Sequence, residues 1–105
     1  MSDFVFLKTG MKPTRLWGDI PLFNVRDGME LLDLCSEHNA AVLGIEGFNI
    51  VKGKRVPNMD YIADFSDLIA VAGDDFPESS REAARRFIGS ITDEQLLLEF
   101  VLVKI

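Results

Sequence analysis

The pattern of apolar and polar residues between positions 40 and 66 consists of two runs joined by a reversal. The first run, Val42 to Val51, is mainly apolar and contains glycines at Gly44 and Gly47. The reversal Lys52-Gly53-Lys54-Arg55 follows it, and a second, mixed run then extends to Ser66. Two such runs joined by a glycine-containing reversal predict a β-hairpin. We expect the two glycines of the first run to allow a bulge or a close approach of backbones.

Two segments show the spacing of amphipathic helices. In the first, Val25, Met29 and Leu32 lie on one face, Asn24 is the expected N-cap, and the helix should end near His38. The second should open at Pro77-Glu78, because proline is tolerated in a first helical turn, and should end near Gly89-Ser90.

The ends of the chain are apolar in different ways. Phe4 to Leu7 is a short run that predicts an opening or edge strand. Residues 8–24 are interrupted by Pro13, Gly18 and Pro21, which predicts a structured loop. Trp17, Ile20, Leu22 and Phe23 should anchor that loop. Gln95 to Ile105 is almost continuously apolar, which predicts a central strand covered on both faces.

The run Leu68 to Ala72 has two interpretations. It either extends the second arm of the hairpin or forms a separate, short buried piece, and Gly73-Asp74-Asp75 ends it in both cases. The pattern alone does not distinguish them.

The order of elements predicts an α+β fold. We expect one domain over residues 1–105, with an N-terminal strand and loop in residues 1–24 and the main body in residues 25–105. Its sheet should be mainly antiparallel, with three to five strands and two helices packed on one face. A chain of 105 residues can bury a core without disulfides or metals.

Charge and composition restrict the partners. The formal net charge is −6, the wrong sign for neutralising nucleic-acid phosphates, so we expect no direct nucleic-acid binding. No apolar run approaches the roughly 20 residues that a membrane span needs. The first residues lack a secretion signal, so we expect a cytoplasmic protein that does not bind membranes.

Candidate catalytic residues are few. Cys35 and His38 are three residues apart on the predicted first helix and could touch, but Cys35 belongs to the apolar stripe, which favours a buried thiol over a nucleophile. One histidine and one cysteine offer no cluster for zinc. We therefore expect no enzyme activity, no metal and no cofactor.

Acidic residues concentrate after the hairpin turn. We expect the carboxylates to attract a basic protein partner, although charge on an exposed strand also prevents unwanted edge pairing. Trp17 and Tyr61 are residue types that dominate the energetics of interfaces. The candidate partner-binding residues are therefore Asp60, Tyr61, Asp64, Asp67, Asp74, Asp75 and Trp17.

Four segments together carry a family resemblance. They are VLGIEGF at 42–48, PNMDYIADFS at 57–66, RRFI at 85–88 and LEFVL at 98–102. Over roughly residues 25–103 the chain resembles small immunity proteins of bacterial polymorphic toxin and contact-dependent growth inhibition systems. The resemblance implies a stoichiometric inhibitor that binds the C-terminal domain of a cognate toxin, often a nuclease, and blocks an essential surface.

A second function remains open from the residues themselves. The chain could instead be a small ligand-binding or regulatory domain, with an apolar pocket between the first helix and the sheet.

Overall fold

The computed structural model describes residues 11–104. Along the chain these residues form a short β-hairpin, a helix, a long β-hairpin, a one-turn helix, a second long helix and a last strand. Their bounds are β1 Arg15–Trp17, β2 Ile20–Leu22, α1 Val25–Glu37, β3 Ala40–Val51, β4 Lys54–Asp64, α2 Leu68–Ala72, α3 Phe76–Gly89 and β5 Leu97–Lys104. The predicted opening strand at Phe4 to Leu7 lies outside the described residues.

The architecture is α+β, as the order of elements predicts. Strands β4, β3 and β5 form an antiparallel sheet in that order, and β1 and β2 form a separate two-stranded sheet. Helices α1 and α3 pack against each other and against β3. None of the helices in residues 11–104 is long and apolar enough to cross a membrane.

The β3–β4 hairpin turns where the sequence predicts. Lys52 and Gly53 have φ angles of 52° and 77°, and Val51 pairs with Lys54. Positive φ at both central residues is the type I′ geometry that matches the twist of the flanking strands. The turn is therefore confined to two residues, and Lys54 and Arg55 already belong to β4.

Both glycines predicted to permit irregular backbone do so. The β3–β5 register shifts between Val42 and Gly44, and the β3–β4 register shifts between Glu46 and Phe48. At the second shift, residues 58–61 of β4 lie opposite the single residue Gly47. A Cβ on Gly47 would lie 2.9 Å from the Cβ of Tyr61, so only glycine fits there without movement.

Helix α1 begins and ends as its sequence predicts. The side chain of Asn24 accepts a hydrogen bond of 2.7 Å from the backbone N–H of Asp27, which caps the first turn. His38 is the C-cap, and Asn39 follows with a φ of 54°. Helix α3 likewise begins one residue before the predicted Pro77 and ends at Gly89.

The main core lies between the two long helices and one face of the sheet. It contains Leu31, Leu32 and Cys35 of α1, Ala84 and Ile88 of α3, Val42 and Ile45 of β3, and Leu98, Phe100 and Leu102 of β5. On the other face, a smaller cluster joins Leu22 of β2 to Phe48 and Leu97, with Trp17, Ile20 and Ile50 beside them. The β1–β2 hairpin thus covers only the turn end of that second face.

Three expectations about the elements are wrong. The segment between Lys8 and Asn24, expected as a loop, contains the β1–β2 hairpin, although Leu22 and Phe23 are buried anchors as expected. Strand β5 is not central, since β3 is the middle strand of the three. Its apolar run reflects cover by the helices and, at Leu97, by the β1–β2 hairpin, whereas Val101 is exposed.

The third correction concerns residues 68–72. This segment is neither a strand extension nor a buried piece, because it forms helix α2 and none of its residues is buried.

Candidate functional site

Helix α2 and its flanking carboxylates form an exposed surface. The helix consists of LIAVA, and Ile69 and Val71 are 51% and 84% exposed. Asp64 and Asp67 precede it and Asp74 and Asp75 follow it in a 3₁₀ turn, all four of them exposed. We call α2 with these four aspartates the acidic end.

Asp64 shapes the entry to this surface. One of its carboxylate oxygens, Oδ1, accepts hydrogen bonds from the Ser66 hydroxyl, at 2.7 Å, and from the Ser66 backbone N–H, at 2.9 Å. The hydroxyl and then the backbone N–H stabilise the ionised carboxylate and lower the pKa of Asp64 below its usual value. Asp64 is therefore negatively charged near neutral pH. Its hydrogen bonds to Ser66 also hold the chain in the turn that leads to α2.

Strand β4 ends at Asp64, opposite Gly44, and does not pair with the first residues of β3, which begins at Ala40. Gly44 pairs with Asp64, the last residue of β4, and the Phe65 N–H donates to the Leu43 carbonyl at 2.8 Å. On the N-terminal side of Gly44, side chains of α3 form the hydrogen bonds with the edge of β3. The Ser80 hydroxyl accepts from the Val42 N–H at 2.9 Å, and Arg81 donates to the Ala40 carbonyl at 2.9 Å.

The first turns of α3 thus occupy the place that a longer β4 would take. The chain between β4 and α3 forms α2, in which Ile69, Ala70 and Val71 are exposed while Leu68 and Ala72 are half-buried.

The remaining predicted residues lie elsewhere. Asp60 is exposed in the irregular segment 58–61, the four residues opposite Gly47, where Met59 is 78% exposed. Tyr61 is half-buried and packs against the main core, and its backbone approaches Gly47. Trp17 is half-buried against the smaller cluster, with the Arg15 guanidinium 5.3 Å from its ring centroid. The structure therefore brings together Asp64, Asp67, Asp74 and Asp75 around α2 but sets Trp17 apart, as an anchor of the β1–β2 hairpin.

Hydrogen bonds of asparagine side chains hold the segment 58–61 in place. The Asn58 side chain donates to Asn49 at 2.9 Å, and Asn49 donates to Asp93 at 3.0 Å. The side-chain oxygen of Asn58 also accepts from the Asp60 N–H at 3.1 Å. Asp60 is thereby presented on a defined backbone.

Sequence reasoning did not identify one part of the surface. On the sheet face opposite the helices, Ile62 and Val101 are 43% and 46% exposed near the exposed Glu46. The β-hairpin pattern gives the alternation within a strand, but cross-strand neighbours depend on register, and both bulges shift that register.

The buried thiol has the environment of a core residue. Cys35 is buried, and desolvation raises its pKa to about 11, against weaker opposing effects of Arg81 and Arg85. The group is protonated near neutral pH, which does not favour the thiolate that nucleophilic chemistry needs. Across residues 11–104, no three His, Cys, Asp or Glu side chains are grouped to hold a metal ion.

Two surface grooves open near the start of α1. One has a volume of 410 Å³ and is lined by Asn24, Val25, Arg26, Ile91, Asp93 and Glu94. The second, of 370 Å³, lies between residues of β1, β3 and the segment before β5. Further along α1, a Cβ on Gly28 would lie 3.1 Å from the Phe100 ring, so helix and sheet are in close contact there.

Comparisons of the chain with protein-family models, with curated proteins and with solved structures find no match.

Proposed function

We propose that this protein is a cytoplasmic immunity protein, which neutralises the C-terminal domain of a cognate bacterial toxin by binding it stoichiometrically. The observation that carries the proposal is helix α2, an all-apolar helical turn of which no residue is buried. Exposed apolar groups within a charged border are typical of protein-binding surfaces. The family resemblance of residues 25–103 supplies the class of partner.

The charges around α2 favour a basic partner. Four exposed aspartates border Ile69 and Val71, and the whole chain carries a net charge of −6. A toxin that acts on nucleic acid needs lysines and arginines to bind phosphates. Covering those residues with carboxylates would both block the toxin and accelerate the encounter of the two proteins.

Mechanistically, the inhibitor needs no chemistry of its own. Ile69 and Val71 would lose their solvent-exposed area against the toxin, while the aspartates pair with its basic side chains at the rim. Inhibition then follows from occlusion of the surface that the toxin uses.

Co-expression is the direct test. The toxin domain encoded next to this gene is expressed from a tight promoter with or without this chain, and cell survival and co-purification are measured. We expect this chain to restore growth and to co-purify in a 1:1 complex. If no neighbouring gene product is toxic, or if a toxic one is neither bound nor neutralised, the proposal is wrong.

Charge variants then test the acidic end. Asp67 and Asp75 are the N-caps of α2 and α3, but their side chains accept no capping hydrogen bond. These two residues and Asp74 are changed together to Asn. We expect the Kd of the toxin complex to rise roughly three- to 150-fold, since each of the three exposed ion pairs contributes about 0.2–1 kcal/mol. The matched control changes Glu30, Glu37 and Glu82, which are exposed on α1 and α3, to Gln. Equal effects in both triple variants would contradict the placement of the interface.

A further inference from the structure

The sheet face opposite the helices contains a small ordered grid of side chains beyond the cover of the β1–β2 hairpin. Cross-strand pairing places Ile62, Glu46 and Glu99 in one row, and Asp64, Gly44 and Val101 in the next. Because alternate residues of a strand share a face, both rows point away from the helices. We call these six residues the open face.

Gly44 makes a depression in the middle of the second row. With no side chain there, backbone is exposed between Asp64 on one side and Val101 on the other. A Cβ on Gly44 would lie 3.0 Å from the Ala63 carbonyl oxygen, so the position does not readily accept a larger residue. The resulting pocket has a volume of 330 Å³ and is lined by Leu43, Gly44, Ile45, Glu46, Ile62, Ala63, Asp64 and Val101.

The walls of this pocket differ in chemistry from its rim. Ile62 and Val101 are large apolar side chains that are nearly half exposed, on opposite outer strands. Glu46 and Asp64 supply two carboxylates, both exposed. Apolar walls with carboxylates beside them match a long side chain that is apolar along its stem and positively charged at its end.

The two carboxylates of the first row, those of Glu46 and Glu99, differ in their ion-pair partners. Glu46 lies directly opposite Glu99, an arrangement of like charges that is destabilising in a sheet. Arg55 lies 3.3 Å from Glu99 and 4.2 Å from the centre of the Phe48 ring, so Glu99 already has a cation. Glu46 forms no ion pair or side-chain hydrogen bond with residues 11–104. Glu46 is therefore the carboxylate of this row that is available to a second cation.

We propose that this pocket binds an arginine side chain of the protein partner, with its stem between Ile62 and Val101 and its guanidinium at Glu46 and Asp64. Arginine fits better than lysine, because its planar group is weakly hydrated and can face two carboxylates at once. That the arginine belongs to a toxin rests on the proposed function, whereas the pocket itself does not. Asp64 belongs to both surfaces, so the pocket would continue the interface of the acidic end onto the sheet.

The pocket can be tested without a partner. N-acetyl-L-arginine amide is titrated into the ¹⁵N-labelled protein, and N-acetyl-L-citrulline amide, of nearly the same shape but uncharged, is the matched control. We expect saturable shifts of the Gly44 and Val101 amide signals with the arginine compound and much smaller ones with citrulline. The amide of Gly73, which adjoins Asp74 and Asp75, reports general attraction to acidic surface. If Gly73 shifts as much as Gly44, or if citrulline binds equally well, the pocket is not an arginine site.

One substitution tests the charge of the rim. Glu46→Gln keeps the shape of an exposed side chain that holds no other residue in place, so the fold should be unaffected. We expect it to raise the Kd for N-acetyl-L-arginine amide about two- to fivefold, the range that one exposed ion pair supplies. Glu82→Gln, at an exposed site on α3, should leave the Kd unchanged. An unchanged Kd in Glu46→Gln would overturn the assignment.

The outcomes for the pocket and for the toxin are separable. If the toxin complex forms but is not weakened by Glu46→Gln, the immunity function stands and the pocket proposal fails. If no toxin is bound but the arginine compound binds at Gly44 and Glu46→Gln weakens it, the pocket stands and the immunity function fails.

Discussion

At the scale of single residues, replacing Gly47 and replacing Gly89 by alanine should change the free energy of unfolding in opposite directions. An alanine Cβ at Gly47 would lie 2.9 Å from the Tyr61 Cβ and 3.1 Å from Leu96, whereas nothing lies within 4 Å of the corresponding point at Gly89. We expect Gly47→Ala to lower the free energy of unfolding by about 1–3 kcal/mol, as overpacking does. Gly89→Ala, at the end of α3, should raise it by up to about 1 kcal/mol through helix propensity.

Urea unfolding of both variants beside the parent protein measures the difference. If Gly47→Ala is as stable as the parent protein, strand β4 does not approach β3 as closely as described.

Asp64 predicts a dependence on pH. Its pKa is lowered in the folded protein by Ser66, so the folded state binds fewer protons at this site than the unfolded state near pH 4. The stabilisation is thus present above the pKa of the unfolded chain and is lost as the pH falls through the lower, folded pKa. In Asp64→Asn this contribution is absent, and we expect a smaller drop in Tm between pH 6 and pH 2.5.

The control for this experiment is Asp60→Asn. The Asp60 carboxylate accepts none of the hydrogen bonds found among residues 11–104, so its removal should preserve the acid-induced drop of the parent protein. A drop in Asp64→Asn as large as in the parent protein would contradict the role of Ser66.

At the scale of elements, Ser80 joins helix α3 to strand β3. Its buried hydroxyl accepts from the Val42 N–H and donates to the Pro77 carbonyl, both at 2.9 Å. Ser80→Ala would leave the Val42 N–H buried without a partner, which costs about 1–3 kcal/mol. We expect the midpoint of urea unfolding to fall accordingly. Ser36→Ala, at an exposed site on α1, is the matched control and should change the midpoint little.

The same region shows what the sequence could and could not predict about elements. Asn24, Gly53 and Pro77 act through local backbone rules, so both long helices and the main hairpin turn were predictable. The Ser80 contact spans 38 residues and has no local signal. Helix α2 has the apolar composition of a buried segment, and no local signal indicates that Ile69 and Val71 are exposed.

At the scale of the whole molecule, the two sheet faces receive unequal cover. The long helices cover one face completely enough to bury Val42, Ile45 and Phe100, whereas the β1–β2 hairpin reaches only the Phe48 end of the other. Sequence alternation indicates that a strand has two faces but not which face another element covers. Asp64 could be selected from the sequence by its charge, but its neighbours Glu46, Ile62 and Val101 on the open face could not.

Because these charged surfaces are not covered by other elements, a complex formed through them should depend on the salt concentration. The carboxylates of the acidic end and of Glu46 lie in solvent. The Debye length falls from about 10 Å at 0.1 M salt to about 3 Å at 1 M. We expect the association rate constant with the toxin domain, measured by stopped flow, to fall about tenfold or more over this range, with a smaller change in the dissociation rate constant. In the Asp67, Asp74 and Asp75 to Asn variant, association should be slower at low salt and should depend less on salt. An association rate constant that is the same at 0.1 M and 1 M would show that apolar contacts of Ile69 and Val71, and not charge, direct the encounter.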